Sequence, residues 1–198
     1  MEKFQPFAHP WWVNLLIIVP AAAYFLLRRK GLELTLQRKL IITAFALAFG
    51  FVEAAVVVYL RAAVGFLPGA NGAPEIRRFS ATDPQVPSLT GFPPSLLTIE
   101  VLREAATMLM LLCTALLAAP RARERWAVFL WAFAIWDITY YVFLWATVRW
   151  PGSLRDLDVL FLIPVPWLSQ IWFPLLVSGF TLLAVANAAV RHKGVGTK

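Results

Sequence analysis

The sequence predicts an all-α protein, a polytopic transmembrane helical bundle of about five spans. Hydrophobic residues make up 60% of the 198 residues and aromatic residues 14%, and the mean hydropathy is +0.70. Soluble domains have only roughly half of their residues apolar. Five apolar stretches also approach the length of about 20 residues that crosses a bilayer. We therefore expect residues 1–198 to form a single integral membrane domain.

The predicted spans follow these apolar stretches in chain order. Pro20 is expected to kink the first span, Ser95 to cap the third and Pro120 to end it. Because the basic residues follow the first apolar run and do not precede it, a cleaved signal peptide is not expected. The spans are Trp11–Leu27, Leu40–Leu60, Leu96–Ala119, Trp126–Val148 and Ile171–Val190.

The distribution of basic residues predicts the orientation in a bacterial inner membrane. Of the 18 Lys and Arg residues, 11 lie in three places that fall on one side of a five-span bundle. Positive charge marks the cytoplasmic side, so the N-terminus is expected outside and the C-terminus inside. Nucleic acid is not expected as a partner, since no recognition motif accompanies the charge. The three places are Arg28–Lys39, Arg121–Arg125 and the tail from Arg191.

Two segments on the predicted outer side depart from the helical pattern. Residues 61–95 are rich in proline and glycine and predict a long periplasmic loop. Residues 153–170 are predicted to be an outer re-entrant or interfacial segment, because Asp158–Trp167 is apolar, too short to span and contains two prolines. The segment dips into the membrane, lies along its surface or begins the fifth helix with a break. We expect it to cover the outer mouth of an internal cavity.

Four carboxylates lie inside stretches that are otherwise apolar enough to cross a bilayer. A carboxylate at that depth costs at least about 2.5 kcal/mol, so each must face protein, water or a cation. Arg103 is the basic residue among them, and Ala46, Gly50 and Ala54 provide a small-residue face on the second span that allows close helix packing. The four carboxylates are Glu53, Glu100, Glu104 and Asp137.

The spacing of the polar residues predicts a shared pocket. On the third span they form one stripe at three- and four-residue spacing. On the fourth, two tyrosine hydroxyls lie one turn from the aspartate and are its expected partners. At a rise of about 1.5 Å per residue, these groups reach similar depths in the outer half of the bundle, so the pocket should open outward. Its candidate residues are Glu53, Glu100, Arg103, Glu104, Asp137, Tyr140 and Tyr141.

One arginine cannot neutralise four carboxylates, so the predicted pocket needs protons or a cation. Oxygen ligands favour Mg²⁺, Ca²⁺ or Mn²⁺, and Glu53, Glu104 and Asp137 are the candidate ligands. Haem and zinc are not expected, because the chain has one cysteine and two histidines that fall on opposite predicted sides.

Three functions fit this pattern. In the first, the pocket transports a hard cation, protons or a polar or amphiphilic ligand. In the second, it performs membrane-embedded catalysis on such a ligand. In the alternative to both, the chain is a non-catalytic accessory or assembly subunit of a larger membrane complex. The lipid bilayer is the expected partner in every case, and other membrane subunits or further copies of the chain are expected in the last.

Three motifs follow one another in the C-terminal half. The Trp136–Tyr141 segment is followed by Trp150-Pro151 and by Asp158–Trp167. This order resembles that of small bacterial multi-spanning membrane proteins of uncharacterised function. The resemblance implies a multi-span membrane fold, and it implies no activity and no site residues.

Overall fold

The structure is a computed structural model that describes residues 4–28, Leu32, 34–63 and 94–190. Within these residues the chain is mostly helical. A 3₁₀ helix, Trp11–Ile17, leads into the first of five α-helices. These are α1 Ile18–Arg28, α2 Leu36–Ala63, α3 Pro94–Ala118, α4 Ala122–Val148 and α5 Trp172–Val190.

Local chemistry explains where these helices begin and end. Thr35 caps α2, since its hydroxyl accepts the Arg38 N–H at 3.3 Å. Pro94 opens α3, where a missing N–H costs nothing, so Ser95 lies inside this helix and does not cap it as predicted. Pro20 lies in the first turn of α1, directly after the 3₁₀ helix, and the predicted kink is therefore a change of helix type. Arg149 ends α4 in the left-handed region, with φ 56°.

Among the described residues, four helices are long and apolar enough to cross a membrane by length and composition. They cover Trp11–Arg28, Leu36–Ala62, Pro94–Ala118 and Ala122–Val148. The prediction of a mostly helical chain with several helices of spanning length and apolarity is confirmed. The apolar part of α5, Trp172–Ala188, is shorter than these four, so a fifth span stays a prediction.

The all-α prediction is wrong for the segment between α4 and α5. Strands β1, Leu157–Phe161, and β2, Trp167–Gln170, form an antiparallel hairpin with an irregularity between Val159 and Phe161. The two prolines lack backbone N–H donors and fall in the reversal, where no helix is required, while β-branched and aromatic residues favour the strands. The alternative in which this segment begins the fifth helix is also wrong, because α5 starts at Trp172.

The predicted loop at 61–95 is shorter at both ends than expected. Helix α2 continues to Ala63 and α3 begins at Pro94. The remainder of the predicted loop, residues 64–93, and the basic tail from Arg191 lie outside the described residues.

The chain divides into two compact units. The first unit comprises Met1–Asn14, Phe51–Ala106 and Tyr140–Pro174. In it, the N-terminal segment pairs with the hairpin: His9 N donates to Leu168 O at 2.8 Å, and Leu168 N donates to His9 O at 2.7 Å. Strand β2 is therefore hydrogen-bonded along both edges, to β1 on one side and to this N-terminal segment on the other.

The second unit comprises Leu15–Gly50, Thr107–Thr139 and Leu175–Lys198. Its core is apolar and built from small and aliphatic side chains of α1, α4 and α5, with Trp131 packed against it. The indole N–H of Trp131 donates to Thr43 Oγ1 at 3.0 Å, which satisfies a polar atom that lipid could not. The core residues are Ala23, Leu27, Leu32, Ala127, Ala184, Val185 and Ala188.

Within the second unit, α2 and α4 touch at Gly50. A Cβ at this position would collide with Thr139 Oγ1 and lie 3.1 Å from the carbonyl oxygen of Trp136. Ala46, one turn away on the same face, is 0% exposed. The predicted small-residue face therefore makes the close helix approach that its spacing indicated.

Gly50→Ala is expected to destabilise the protein by about 1–3 kcal/mol, because the added methyl group meets backbone as well as side chain. The measurement is the melting temperature in detergent. Gly179→Ala on α5 is the matched control, since nothing lies within 4 Å of its added Cβ. Combining Gly50→Ala with Thr139→Ala should recover part of the loss. Equal melting temperatures for the two alanine variants would contradict the close contact.

Candidate functional site

Arg103 on α3 binds two carboxylates, one from its own helix and one from α2. Its Nε and Nη2 donate to Glu100 Oε2 at 3.0 and 2.8 Å, and its Nη1 donates to Glu53 Oε1. Both carboxylates are buried: Glu53 is 8% exposed and Glu100 is 7% exposed. The bond to Glu100 follows from helical spacing, whereas the bond to Glu53 joins residues 50 positions apart.

Glu104, the next residue on α3, binds the hairpin. Its Oε2 accepts the N–H of Leu162 at 2.8 Å, and its Oε1 accepts the N–H of Ile163 at 3.1 Å. Both donors belong to the backbone between β1 and β2. A buried carboxylate, 7% exposed, is thus solvated by peptide groups of a non-helical segment. This explains how that segment satisfies its own N–H groups next to an apolar helix.

Tyr140 and Tyr141 lie in the first unit with these carboxylates. Tyr140 is within electrostatic range of Glu53, Arg103 and also Asp158 on β1. The hydroxyl of Tyr141 donates to Asp158 Oδ2 at 3.0 Å, a partner that the helical spacing did not indicate. Tyr141 is therefore bonded to the hairpin, and its neighbour Tyr140 is within electrostatic range of both the hairpin and the carboxylate–Arg cluster.

Asp137 lies in the second unit. The hydroxyl of Ser178 on α5 donates to Asp137 Oδ2 at 2.7 Å. This hydroxyl partner lies 41 positions along the chain and on a different helix from the predicted tyrosines. The hypothesis that Asp137 shares one cavity with Glu53 and Glu104 stays a prediction.

The geometry defines the cluster by its charge. Glu53, Glu100 and Glu104 supply three negative charges and Arg103 one positive charge, so full ionisation leaves a net charge of −2. Charged groups within apolar helices need polar partners, and here these include Arg103 and the backbone N–H groups of the hairpin. Within the described part of the chain, no group of three or more His, Cys, Asp and Glu is arranged to hold a metal ion. The metal assignment to Glu53, Glu104 and Asp137 stays a prediction.

Besides Asp158, three residues of this region were not among the predicted site residues. Asp156 closes the turn after α4, because its Oδ2 accepts Gly152 N at 2.7 Å and Ser153 N at 3.2 Å. Arg61 lies with its guanidinium over the ring of Trp150, 3.9 Å from the centroid. The Gly-Ser-x-x-Asp spacing is a sequence signal for the turn. No local pattern indicates the contact between Arg61 and Trp150, whose positions are far apart in the chain.

The fold and the site define a class: a helical membrane protein with a buried cluster of carboxylates paired to one arginine and to a hairpin. No family model matches the chain, and neither a curated protein nor a solved structure is significantly similar to it. The site must therefore be interpreted from its own chemistry.

Asp158 is expected to make stability depend on pH. Burial raises the pKa of its carboxyl from 3.8 to about 6, against the opposing effects of Arg61 and the Tyr141 hydroxyl. Between these two values the folded state holds a proton that the unfolded chain has released. The contribution of Asp158 to the free energy of unfolding is therefore greatest below this range and falls as pH rises through it.

Melting temperatures of the wild type and Asp158→Asn, measured in detergent across this pH range, check the prediction. The wild type should lose stability relative to the variant as pH rises. Tyr141→Phe should move the loss to higher pH, since it removes a hydrogen bond to the ionised form. Parallel profiles for the wild type and Asp158→Asn would contradict the assignment.

Proposed function

We propose that the chain is a proton-binding carrier of the bacterial inner membrane, in which the Glu53–Glu100–Arg103–Glu104 cluster takes up protons from the outer side and controls docking of the hairpin. The proposed bundle has five spans, with the N-terminus outside and the C-terminus inside. The single observation that carries the proposal is the pair of hydrogen bonds from Leu162 and Ile163 to Glu104.

Proton binding follows from the charge of the cluster. Arg103 neutralises one of the two carboxylates that it contacts, and Glu104 is solvated by peptide dipoles with Arg103 nearby. The remaining negative charge attracts a cation, and a proton needs no coordination shell. This favours protons over a divalent ion, which would require several converging oxygen ligands.

The hairpin responds to the charge of Glu104. An ionised carboxylate accepts hydrogen bonds at both oxygens, and here both are used. A proton on either oxygen turns that acceptor into a donor facing another donor, so one of the two bonds to the hairpin is lost. Protonation thus weakens docking and opens the polar cluster to a ligand from the outer side.

A carrier fits these contacts better than an enzyme. A general base must lie against the proton of a bound substrate. The contacts described for these carboxylates are with the protein itself, since Glu104 accepts backbone N–H groups of the hairpin and Glu53 and Glu100 accept from Arg103. The groups are therefore arranged to exchange a proton with a change of contact and not to attack a bound substrate.

The proposed topology predicts that a C-terminal fluorescent or phosphatase reporter reports a cytoplasmic location. The physical reason is the excess of basic residues in the segments assigned to that side. The measurement is the activity of each reporter fused after residue 198 in intact cells. Phosphatase activity at this fusion point would show the opposite orientation or an even number of spans.

Glu104→Gln is expected to leave the hairpin permanently in its weakly docked state. A glutamine carbonyl accepts one of the two N–H bonds, while its amide group faces the other donor. An environment-sensitive fluorophore attached through Val165→Cys, where the native side chain is 46% exposed, reports docking. The exposed Cys113 is replaced by serine to give a single labelling position.

In the otherwise wild-type protein, the emission of this fluorophore should change in one transition as pH falls. Glu104→Gln should show the low-pH emission throughout. Glu124→Gln is the matched control, because Glu124 is also buried, at 2% exposure, and is paired with Arg121; it should keep the transition. An unchanged transition in Glu104→Gln would refute the proposed coupling.

An accessory or assembly subunit is the second candidate. It is favoured by the fact that each carboxylate of the cluster already has a partner in the same chain. In that case Glu104→Gln lowers the melting temperature without altering any pH response. Stoichiometric partner chains that co-purify with the tagged protein from native membranes would support this candidate over the carrier.

A further inference from the structure

Arg61, near the end of α2, is a buried cation with one guanidinium nitrogen that has no hydrogen-bond acceptor among the described residues. The residue is 9% exposed, and within the described part of the chain its buried Nη1 meets no hydrogen-bond acceptor. Its guanidinium stacks on Trp150, 3.9 Å from the ring centroid. Stacking holds the plane of the guanidinium and leaves its edge to donate.

Trp150 adds a second unused donor at the same place. The residue is 1% exposed, and its buried Nε1 also has no acceptor among the described residues. Its position is held on both sides, by Arg149 in the left-handed region and by the turn that Asp156 closes. The Trp150 donor therefore lies on a braced piece of backbone, and the guanidinium of Arg61 from α2 stacks on the same ring.

Such donors are costly when nothing binds them. A buried donor without an acceptor costs about 1–3 kcal/mol, and more when it is charged. Proteins rarely retain two of them side by side. The pair therefore indicates a ligand that supplies oxygen acceptors and, opposite a guanidinium, negative charge.

The positions of the two residues indicate which oxyanion. Arg61 lies two residues before the end of α2, and Trp150 two residues after the end of α4. Both helices are long enough to cross a membrane, so their ends fall near the level of the lipid headgroups. Arginine and tryptophan at that level meet phosphate groups, which accept two bonds from one guanidinium.

We propose that Arg61 and Trp150 form a binding site for a phosphate group. Arg61 donates to two phosphate oxygens and supplies the positive charge, and the Trp150 indole donates to one. Near this site, the ring of Tyr141 lies 6.4 Å from that of Trp150 and its hydroxyl donates to Asp158. Arg61 is within electrostatic range of both Asp158 and Tyr140. Because Asp158 opposes an anion when ionised, binding should tighten as this carboxyl becomes protonated. The inference does not depend on the proposed proton coupling.

The test uses inorganic phosphate and dihexanoyl phosphatidylglycerol as probes, each titrated against the detergent-purified full chain while its melting temperature is recorded. Stabilisation by both probes assigns the site to the phosphate group itself. Stabilisation by the short-chain lipid alone assigns it to a lipid headgroup. If neither probe raises the melting temperature of the wild type, the proposal is wrong.

Variants locate the effect. Trp150→Phe keeps a ring under the guanidinium and removes the indole donor, and it should lower the affinity for the probe by roughly tenfold. Arg61→Lys keeps the charge but loses the planar pair of donors, and it should lower the affinity at least as much. Each variant is compared with its own melting temperature without probe, so a change in folding alone does not count.

The chain offers a matched control. Arg149 lies over Trp145 at 4.8 Å from the ring centroid, and both of these residues are exposed. Trp145→Phe, which leaves Arg149 in place, should leave the response to the probe unchanged. An equal loss in this control and in the two site variants would show a general surface effect and overturn the assignment.

Discussion

The hydrogen bonds between the Glu104 carboxylate and the hairpin backbone are the constraint on which the rest of the first unit depends. Carboxylates in an apolar helix need partners that lipid does not provide, and a non-helical backbone near a membrane needs acceptors for its N–H groups. The N–H groups of Leu162 and Ile163 donate to the two oxygens of Glu104 at 2.8 and 3.1 Å, so the helix carboxylate and the hairpin backbone satisfy each other. Removing either group leaves the second buried without a partner, so the helix and the hairpin stabilise one another.

The neighbouring contacts extend this arrangement in two directions. Arg103 joins α3 to α2 through its bond to Glu53, and Tyr141 joins α4 to β1 through its bond to Asp158. Charge in this unit is thus distributed over donors from several elements and is not balanced by one ion pair. A single proton added to such a network alters more than one contact, which is the physical basis for linking its protonation to the position of the hairpin.

The Arg61–Trp150 pair is organised in the opposite way. The carboxylate cluster has acceptors in excess and donors drawn from its own backbone, whereas this pair has buried donors without acceptors in the described chain. Unsatisfied donors indicate an oxygen ligand, and excess carboxylates indicate a cation or proton. The ligands proposed for the two sites in the first unit therefore differ in charge, and Tyr140 lies within electrostatic range of residues of both.

The sequence by itself determined the membrane class, the approximate helices and the polar stripe Glu100–Glu104, because these depend on apolar length and on contacts three or four residues apart. Tertiary structure decided the rest. The hairpin, the partner of Glu104 that lies 58 residues away and the stacking of Arg61 on Trp150 depend on contacts between distant segments. No local periodicity encodes such contacts, since many pairings of the same helices satisfy the same hydrophobic pattern.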